Sequence, residues 1–152
     1  MDNLEFKLAT KQDVPLIVGL LADDELGRKR EKFEDPLPQS YWDAFEKICS
    51  DANQELTLVY RGKEILACFQ LSFIQYLSYQ GGLRAQIETV RVNSKYRGQG
   101  IGRLVFEYAI DRAQKKGAHV LQLTTDKKRP NAFRFYESLG FAASHEGMKI
   151  HF

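Results

Sequence analysis

Cysteine is scarce in this chain of 152 residues, which contains only two. Cys49 and Cys68 lie among apolar neighbours, and their spacing fits neither a metal site nor a redox motif. The three histidines form no metal-binding or triad pattern with cysteine or aspartate, so we predict no metal. Both cysteines are therefore predicted to be core residues in a reducing cytosol.

Long apolar runs and a strong net charge are also missing. No run approaches the roughly 18 residues that a membrane span needs, and the first residues lack the basic and apolar segments of a secretion signal. The formal net charge of +2 is too small to indicate nucleic-acid binding. We therefore expect a cytoplasmic protein with no membrane or nucleic-acid partner, folded as a single domain over residues 1–152.

The hydrophobic pattern predicts the order of helices and strands. A strand over residues 4–8 leads through a capping box at residues 10–13 into a first helix, and a second helix begins at Ser40. Between these helices the charged segment 27–39 contains two prolines and is predicted to be a mobile loop.

Three strands follow, the last of them over residues 83–92. A helix over residues 103–116, a buried strand over residues 120–125 and a helix framed by Pro130 and Gly140 come next. Alternating apolar residues at the end of the chain predict one or two final strands. This order predicts a mixed α/β sheet of about six to seven strands with four helices on both faces.

Three glycines mark the turn between the strand over residues 83–92 and the helix over residues 103–116, in the sequence Arg97-Gly98-Gln99-Gly100-Ile101-Gly102. Glycine lets the backbone approach a ligand closely, and the N–H groups of a first helical turn have no partners within the helix. These groups lie at the positive end of the helix dipole and suit a pyrophosphate. The alternative is a tight turn without a ligand.

Two other nucleotide motifs fit this stretch poorly. A dinucleotide fingerprint would need a third glycine where Arg103 stands and an acidic residue about 20 positions further on, which is absent. A Walker loop would need Gly-Lys followed by serine or threonine, which is also absent.

A second motif, Asn131-Ala132-x-x-Phe135-Tyr136-x-x-x-Gly140-Phe141, follows the glycine turn. In this order and at this separation, the two motifs resemble those of the GNAT family of N-acetyltransferases. The resemblance is specific over residues 84–142 and weaker over residues 4–73. It implies the GNAT-like acyl-CoA N-acyltransferase fold, with acetyl-CoA as co-substrate and direct acetyl transfer to a primary amine.

The same resemblance implies where acetyl-CoA binds. In the family it lies between the splayed fourth and fifth strands, with its pyrophosphate on the glycine turn and its pantetheine arm bonded to the fourth strand. The alternative for Val90 and Val92 is an ordinary half-buried strand, and the alternative for Asn131 is a plain turn or cap residue. The implied co-substrate-binding residues are Val90, Val92, Arg97, Gln99, Gly100, Gly102, Arg103 and Asn131.

Two residues are implied to be catalytic. Tyr136 matches the family tyrosine beside the coenzyme sulfur, where its hydroxyl would protonate the leaving thiolate; the alternative is an aromatic core residue. Glu88 stands on the fourth strand, where several members of the family carry a carboxylate that accepts the proton of the amine through water. The alternative for Glu88 is a solvated strand residue.

The acceptor is left open by the sequence. Asp23, Asp24 and Glu25 fall where the family often builds its acceptor pocket, although such loops are usually just solvated. The stretch over residues 124–129 weakly resembles small-molecule members, including the aminoalkylphosphonate acetyltransferases. A small-molecule amine is the expectation, and a protein lysine or N-terminal acceptor and a non-catalytic acetyl-CoA sensor are the alternatives. The oligomeric state is also open, a homodimer included.

Overall fold

A five-stranded mixed sheet forms the centre of the larger of two compact units. The structure is a computed structural model that describes residues 4–152, in which the larger unit ends at Gln122 and the smaller is Leu123–Phe152. In chain order the larger unit contains β1 (Leu4–Leu8), a 3-10 helix (Lys11–Asp13), α1 (Val14–Leu21), α2 (Glu25–Arg30), α3 (Gln39–Ser50), β2 (Gln54–Arg61), β3 (Glu64–Gln75), α4 (Ser78–Gly81), β4 (Leu83–Val92), a second 3-10 helix (Ser94–Tyr96), α5 (Ile101–Lys115) and β5 (Ala118–Gln122). The smaller unit contains α6 (Pro130–Glu137).

The strands lie in the order β1-β2-β3-β4-β5. The first four are antiparallel neighbours, and β5 runs parallel to β4. Pairing of β4 with β3 continues to Val92, whereas pairing of β4 with β5 ends at Gln86. Beyond Gln86, β4 therefore pairs only with β3 among the described strands.

Helices cover both faces of this sheet. On one face, α1 and α3 pack against Leu58 of β2 and Cys68 of β3. On the other face, Tyr108 of α5 stacks on Phe6 of β1 with ring centroids 4.1 Å apart, and meets Phe69 of β3 edge-on at 5.9 Å. Cys68 and Phe69 point to opposite faces because side chains alternate along a strand. The predicted α/β class with helices on both faces is confirmed.

The prediction of a loop over residues 27–39 is wrong for its first residues, 27–30, which belong to α2. Asp24 caps α2 by accepting a hydrogen bond from the Gly27 N–H at 2.6 Å. An added Cβ at Gly27 would lie 1.9 Å from the Leu21 carbonyl oxygen, so this close approach requires glycine. The sequence did not reveal α2 because a six-residue helix held by a cap shows no long apolar stripe.

The described residues form five strands, fewer than the predicted six to seven. Met148, Ile150 and Phe152 alternate along the chain, but residues 142–152 belong to no sheet and all three side chains are exposed. Alternation alone does not make a strand, because a strand needs a hydrogen-bonded neighbour. The described helices number six instead of four, since α2 and the four-residue α4 show no apolar period.

Two smaller expectations also need correction. Cys68 is buried as predicted, but Cys49, in the last turn of α3, is exposed. β5 begins at Ala118 and lies at one edge of the sheet, with Val120 exposed, so it is not the buried strand expected over residues 120–125.

Within residues 4–152, every helix is too short or too polar to cross a membrane.

Candidate active site

A bulge interrupts β4 near its C-terminal end. Pairing with β3 passes from Gln70–Glu88 to Cys68–Arg91, so β4 advances three residues while β3 advances two. Thr89 within the bulge has a φ of 61°, a left-handed conformation that is costly for a β-branched residue. Strain of this kind is often found at functional sites. The bulge changes the direction of β4 just beyond Gln86, the last residue that pairs with β5.

The backbone beyond the bulge directs polar groups toward the open edge of β4. The Asn93 N–H donates to the Leu66 carbonyl of β3 at 2.8 Å. Because hydrogen-bonding direction alternates along an antiparallel strand, the Val92 N–H points away from β3. The Val92 carbonyl also faces this side, where it accepts a hydrogen bond from Arg97 Nε at 3.0 Å. The open edge of β4 therefore offers an N–H donor to a ligand.

The glycine turn leads from the second 3-10 helix into α5. Gly98 and Gly100 have φ values of 76° and 81°, and a Cβ added at either position would meet no atom beyond the adjacent backbone within 4 Å. No side chain caps the N-terminus of α5. The N–H groups of its first turn lack partners within the helix, at the positive end of a 15-residue helix. This turn therefore fits an anion such as a pyrophosphate.

Glu88 is exposed on β4, immediately before Thr89. Its Oε1 accepts a hydrogen bond from Gln86 Nε2 at 2.7 Å, and Gln86 Oε1 accepts one from Gln122 Nε2 at 2.8 Å. This chain of amides holds the carboxylate where β4 and β5 separate. The second carboxylate oxygen, Oε2, has no hydrogen bond among the described residues, so it can accept a proton.

The second motif forms α6 and its C-terminal turn in the smaller unit. Asn131, in the first turn, accepts a hydrogen bond from Arg134 Nη2 at 2.6 Å. Tyr136 is half-buried, with its ring centroid 5.6 Å from that of Phe135 and 6.2 Å from that of Phe141. The Phe141 N–H donates to the Tyr136 carbonyl at 3.1 Å, which folds Phe141 back onto the tyrosine. These contacts orient the Tyr136 ring within its unit.

An open depression of about 510 Å³ lies beside α1 and α2. Glu31 at its wall is already engaged, because it accepts hydrogen bonds from Arg30 Nε at 2.6 Å and from the Tyr41 hydroxyl at 3.0 Å. The side chains of Arg28 and Lys32 form no ion pair among the described residues. Arg28 and Lys32 are therefore the cations that this depression offers to a ligand. Its charged lining consists of Asp23, Arg28, Glu31, Lys32 and Glu34.

Cys68 lies against the bulge but cannot act as a nucleophile. Its Sγ is 3.9 Å from the Thr89 carbonyl oxygen. Burial raises the pKa of this thiol to about 12, so it stays protonated at neutral pH. Among residues 4–152, no three histidine, cysteine, aspartate or glutamate side chains come together as a metal site would need. Cys68 is therefore a core residue that offers no thiolate to an acyl group.

The predicted site residues fall on two segments. One runs from β4 through the glycine turn into α5 and carries Glu88, Val90, Val92, Arg97, Gln99, Gly100, Gly102 and Arg103. The other is α6, with Asn131 and Tyr136. Sequence reasoning missed the cations of the depression, although the charge of this region was visible in the sequence. It also missed the hydrogen bond from Ser94 to Asp23, which joins residues 71 positions apart.

Comparison with known proteins supports the assignment of these motifs. The family model described as "Acetyltransferase (GNAT) family" matches residues 22–141. The aminoalkylphosphonate N-acetyltransferase of Salmonella typhimurium is 28% identical over 145 residues, covering 95% of this chain and 89% of that protein. The ribosomal protein bS18 alanine N-acetyltransferase of Escherichia coli is 37% identical over 57 residues, 38% of each chain.

Among solved structures, a transcriptional regulator from Bacillus halodurans C-125 is 53% identical, with a TM-score of 0.94 over 99% of this chain and 100% of that one. The family match covers both the glycine turn and the α6 motif. The chain therefore belongs to the acetyltransferase (GNAT) family and is an acetyl-CoA-dependent N-acetyltransferase.

Proposed function

We propose that this enzyme acetylates the primary amine of a small molecule that also carries an anionic group, in the manner of an aminoalkylphosphonate. The observation that carries this proposal is the extent of similarity. The likeness to the aminoalkylphosphonate enzyme spans 95% of the chain, whereas the likeness to the ribosomal-protein enzyme spans 38%. The longer match includes the residues that are proposed below to bind the acceptor, as well as the two family motifs.

Co-substrate binding is assigned to the β4 edge and the glycine turn. The N–H groups of Gln99, Gly100, Gly102 and Arg103 would hold the pyrophosphate, as the positive φ of Gly100 and the uncapped start of α5 support. The N–H of Val92 and the neighbouring backbone at Val90 would bind the pantetheine arm and the thioester carbonyl. Asn131, at the start of α6, would make a further contact.

The proton transfers are assigned to two side chains. Acetyl-CoA supplies the acetyl group as an activated thioester. The free oxygen of Glu88 would accept the proton of the amine, directly or through water, and the hydroxyl of Tyr136 would donate a proton to the departing sulfur. Both assignments rest on motif position, together with the held carboxylate of Glu88 and the oriented ring of Tyr136.

The depression beside α1 and α2 is the proposed acceptor site. Arg28 and Lys32 would bind the anionic group of the acceptor, because their charges are not consumed by ion pairs in the described chain. Glu34 on the same wall would face its ammonium group. A plain alkylamine would forgo the first of these interactions.

Acceptor class can be tested by measuring thiol release from acetyl-CoA with matched amines. The panel contains 2-aminoethylphosphonate, its carboxylate analogue, propylamine, a lysine peptide and a peptide with an N-terminal alanine. We expect the highest kcat/KM with the phosphonate. A higher kcat/KM with either peptide would contradict the proposal and indicate a protein acceptor.

Variants of the depression sharpen this test. Arg28→Ala and Lys32→Ala should each raise KM for the phosphonate roughly tenfold to a hundredfold, the loss expected for a charge-assisted hydrogen bond, and leave KM for propylamine unchanged. Lys29→Ala is the matched control, because Lys29 lies outside the depression and pairs with Glu25 at 3.0 Å. Equal effects of all three variants would remove the acceptor from this depression.

A second candidate function is suggested by the 53% identical structure, that of a transcriptional regulator. On this hypothesis the protein would bind acetyl-CoA as a signal, with little or no turnover. Binding of acetyl-CoA by calorimetry, without thiol release for any amine of the panel, would favour the regulator. Turnover of the phosphonate would favour the enzyme.

A further inference from the structure

Asp23 connects the region beside α1 to the segment that precedes the glycine turn. Its Oδ2 accepts a hydrogen bond from the Ser94 N–H at 2.8 Å, and its Oδ1 accepts one from the Ser94 hydroxyl at 3.2 Å. Ser94 is the first residue of the second 3-10 helix, which lies between β4 and the glycine turn. Asp23 thus holds the first residue of this short helix from 71 positions away, while Asn93, the N-cap residue, accepts a hydrogen bond from the Lys95 N–H at 3.1 Å.

Arg97 completes the same cluster. Its Nη2 donates to the backbone carbonyl of Asp23 at 3.2 Å and lies 3.4 Å from the Asp23 carboxylate, while its Nε donates to the Val92 carbonyl at 3.0 Å. The first residue of the glycine turn is therefore fixed both to the end of β4 and to Asp23. Its guanidinium is engaged by protein atoms, so a role in binding the pyrophosphate would be exerted through the backbone that it holds.

The exposure of this cluster argues against a purely structural role. The side chains of Asp23 and Arg97 are 31% and 45% exposed, and ion pairs at such positions contribute little to stability. Their hydrogen bonds instead restrict the position of a segment whose backbone must meet a ligand. Binding groups of this kind need supporting contacts, because a small displacement of the donors weakens every bond that they make.

We infer that Asp23 is a positioning residue for the glycine turn, and that it sets the affinity for the pyrophosphate of acetyl-CoA by holding Ser94 and Arg97. The inference rests on the proposed pyrophosphate site and adds a residue outside both family motifs. Asp23 also lines the depression proposed for the acceptor. It therefore links the two substrate sites of the larger unit.

Removing Asp23 has two opposing consequences. Loss of the hydrogen bonds to Ser94 loosens the segment before the turn, which weakens binding. Loss of a negative charge near the turn, together with release of the Arg97 guanidinium toward a phosphate, strengthens binding. The direction of the measured change therefore decides whether Asp23 organises the turn or merely restrains Arg97.

The test compares two acetyl donors at a saturating concentration of acceptor. Acetyl-CoA contains the pyrophosphate, and S-acetylpantetheine does not. Asp23→Ala should raise KM for acetyl-CoA about fivefold to fiftyfold with a smaller change in kcat, while kcat/KM for S-acetylpantetheine stays within about twofold. Asp23→Asn retains an oxygen for the Ser94 N–H and should lie between the wild type and Asp23→Ala.

Two further variants make the result specific. Glu46→Gln removes the charge of another exposed ion pair, Lys11–Glu46 at 3.3 Å, and should leave the kinetic constants for both donors unchanged. Gly100→Ala tests the turn itself, because φ at Gly100 is 81° although space for a Cβ is open. Gly100→Ala should raise KM for acetyl-CoA and leave kcat/KM for S-acetylpantetheine unchanged. Calorimetry with coenzyme A supplies the same comparison as a dissociation constant, which Asp23→Ala should raise by at least about fivefold.

Each contrary outcome has a distinct meaning. Equal losses with both donors would place Asp23 in acceptor binding or folding, and unchanged or tighter binding of acetyl-CoA would also overturn the inference. If Gly100→Ala weakens the binding of acetyl-CoA and Asp23→Ala does not, the role of Asp23 fails and the proposed pyrophosphate site stands. If Gly100→Ala affects neither donor, the pyrophosphate site proposed at the turn fails, and the role of Asp23 fails with it.

Discussion

The hydroxyl of Tyr136 is the single group that tests the proposed chemistry most directly. Tyr136→Phe keeps the ring contacts with Phe135 and Phe141 and removes only the proton donor. We expect kcat to fall about tenfold to a thousandfold, with little change in acetyl-CoA affinity, because the hydroxyl acts on the departing sulfur in the transition state. Tyr108→Phe, whose ring stacks on Phe6, is the matched control. Unchanged turnover of Tyr136→Phe would leave this residue with a packing role only.

At the same scale, Glu88 can be separated from an ordinary strand carboxylate by its pH profile. An alkyl amine has a pKa near 10.4, so little of it is neutral at pH 7. Glu88→Gln should lower kcat/KM at neutral pH about tenfold to a hundredfold and recover partly as the amine loses its own proton at higher pH. Glu5→Gln, on β1, serves as the control. A profile parallel to the wild type at the same rates would move the search to Asp23, Asp24 and Glu25.

At the scale of the elements, local patterns predicted most of the fold and long-range contacts supplied the rest. β4 has the predicted bounds of residues 83–92, because its alternation is strong and glycines precede it. The glycine turn and the α6 motif were found because each is contiguous in sequence. The bulge at Thr89 and the bond from Ser94 to Asp23 were not predictable, since both depend on partners in other elements. The alternation at Ile150 shows the converse error, a strand pattern without a sheet.

Packing of β2 against α5 contains a buried carboxylate that makes stability depend on pH. Glu55 is 7% exposed and accepts two hydrogen bonds from Arg112, at 2.9 and 2.7 Å, with Lys116 Nζ at 3.4 Å. The hydrogen bonds from Arg112, which outweigh burial, hold the pKa of Glu55 below its usual value. Its stabilising contribution is therefore complete above the unfolded-state pKa, about 4.3, and is lost as pH falls through the lower pKa of the folded state.

Glu55→Gln should accordingly lower the free energy of unfolding by about 2 kcal/mol at pH 7 and reduce the loss of stability below about pH 4.3. Urea denaturation at a series of pH values measures both effects. Glu107→Gln, on the exposed side of α5, should change the free energy at pH 7 by less than about 0.5 kcal/mol. A Glu55→Gln protein as stable as the wild type at pH 7 would show that the Arg112 contacts only offset the cost of burying the charge.

At the scale of the whole molecule, the family match extends over residues 22–141 and so crosses the boundary between the two units at Gln122. The glycine turn lies before this boundary and Tyr136 after it. Because the proposed chemistry needs both, we propose that the two units act as one GNAT domain. A single domain of this length is expected to unfold cooperatively.

Calorimetric unfolding tests this proposal on the full chain. We expect one transition, with the calorimetric enthalpy equal to the van't Hoff enthalpy, in the absence of ligand. Acetyl-CoA at about one hundred times its dissociation constant should stabilise the folded state by about 2.7 kcal/mol and raise Tm by roughly 5–10 °C. If the two units unfold as one domain, the whole transition should shift. Two transitions of which acetyl-CoA moves only one would show that Leu123–Phe152 folds independently and contributes little to co-substrate binding.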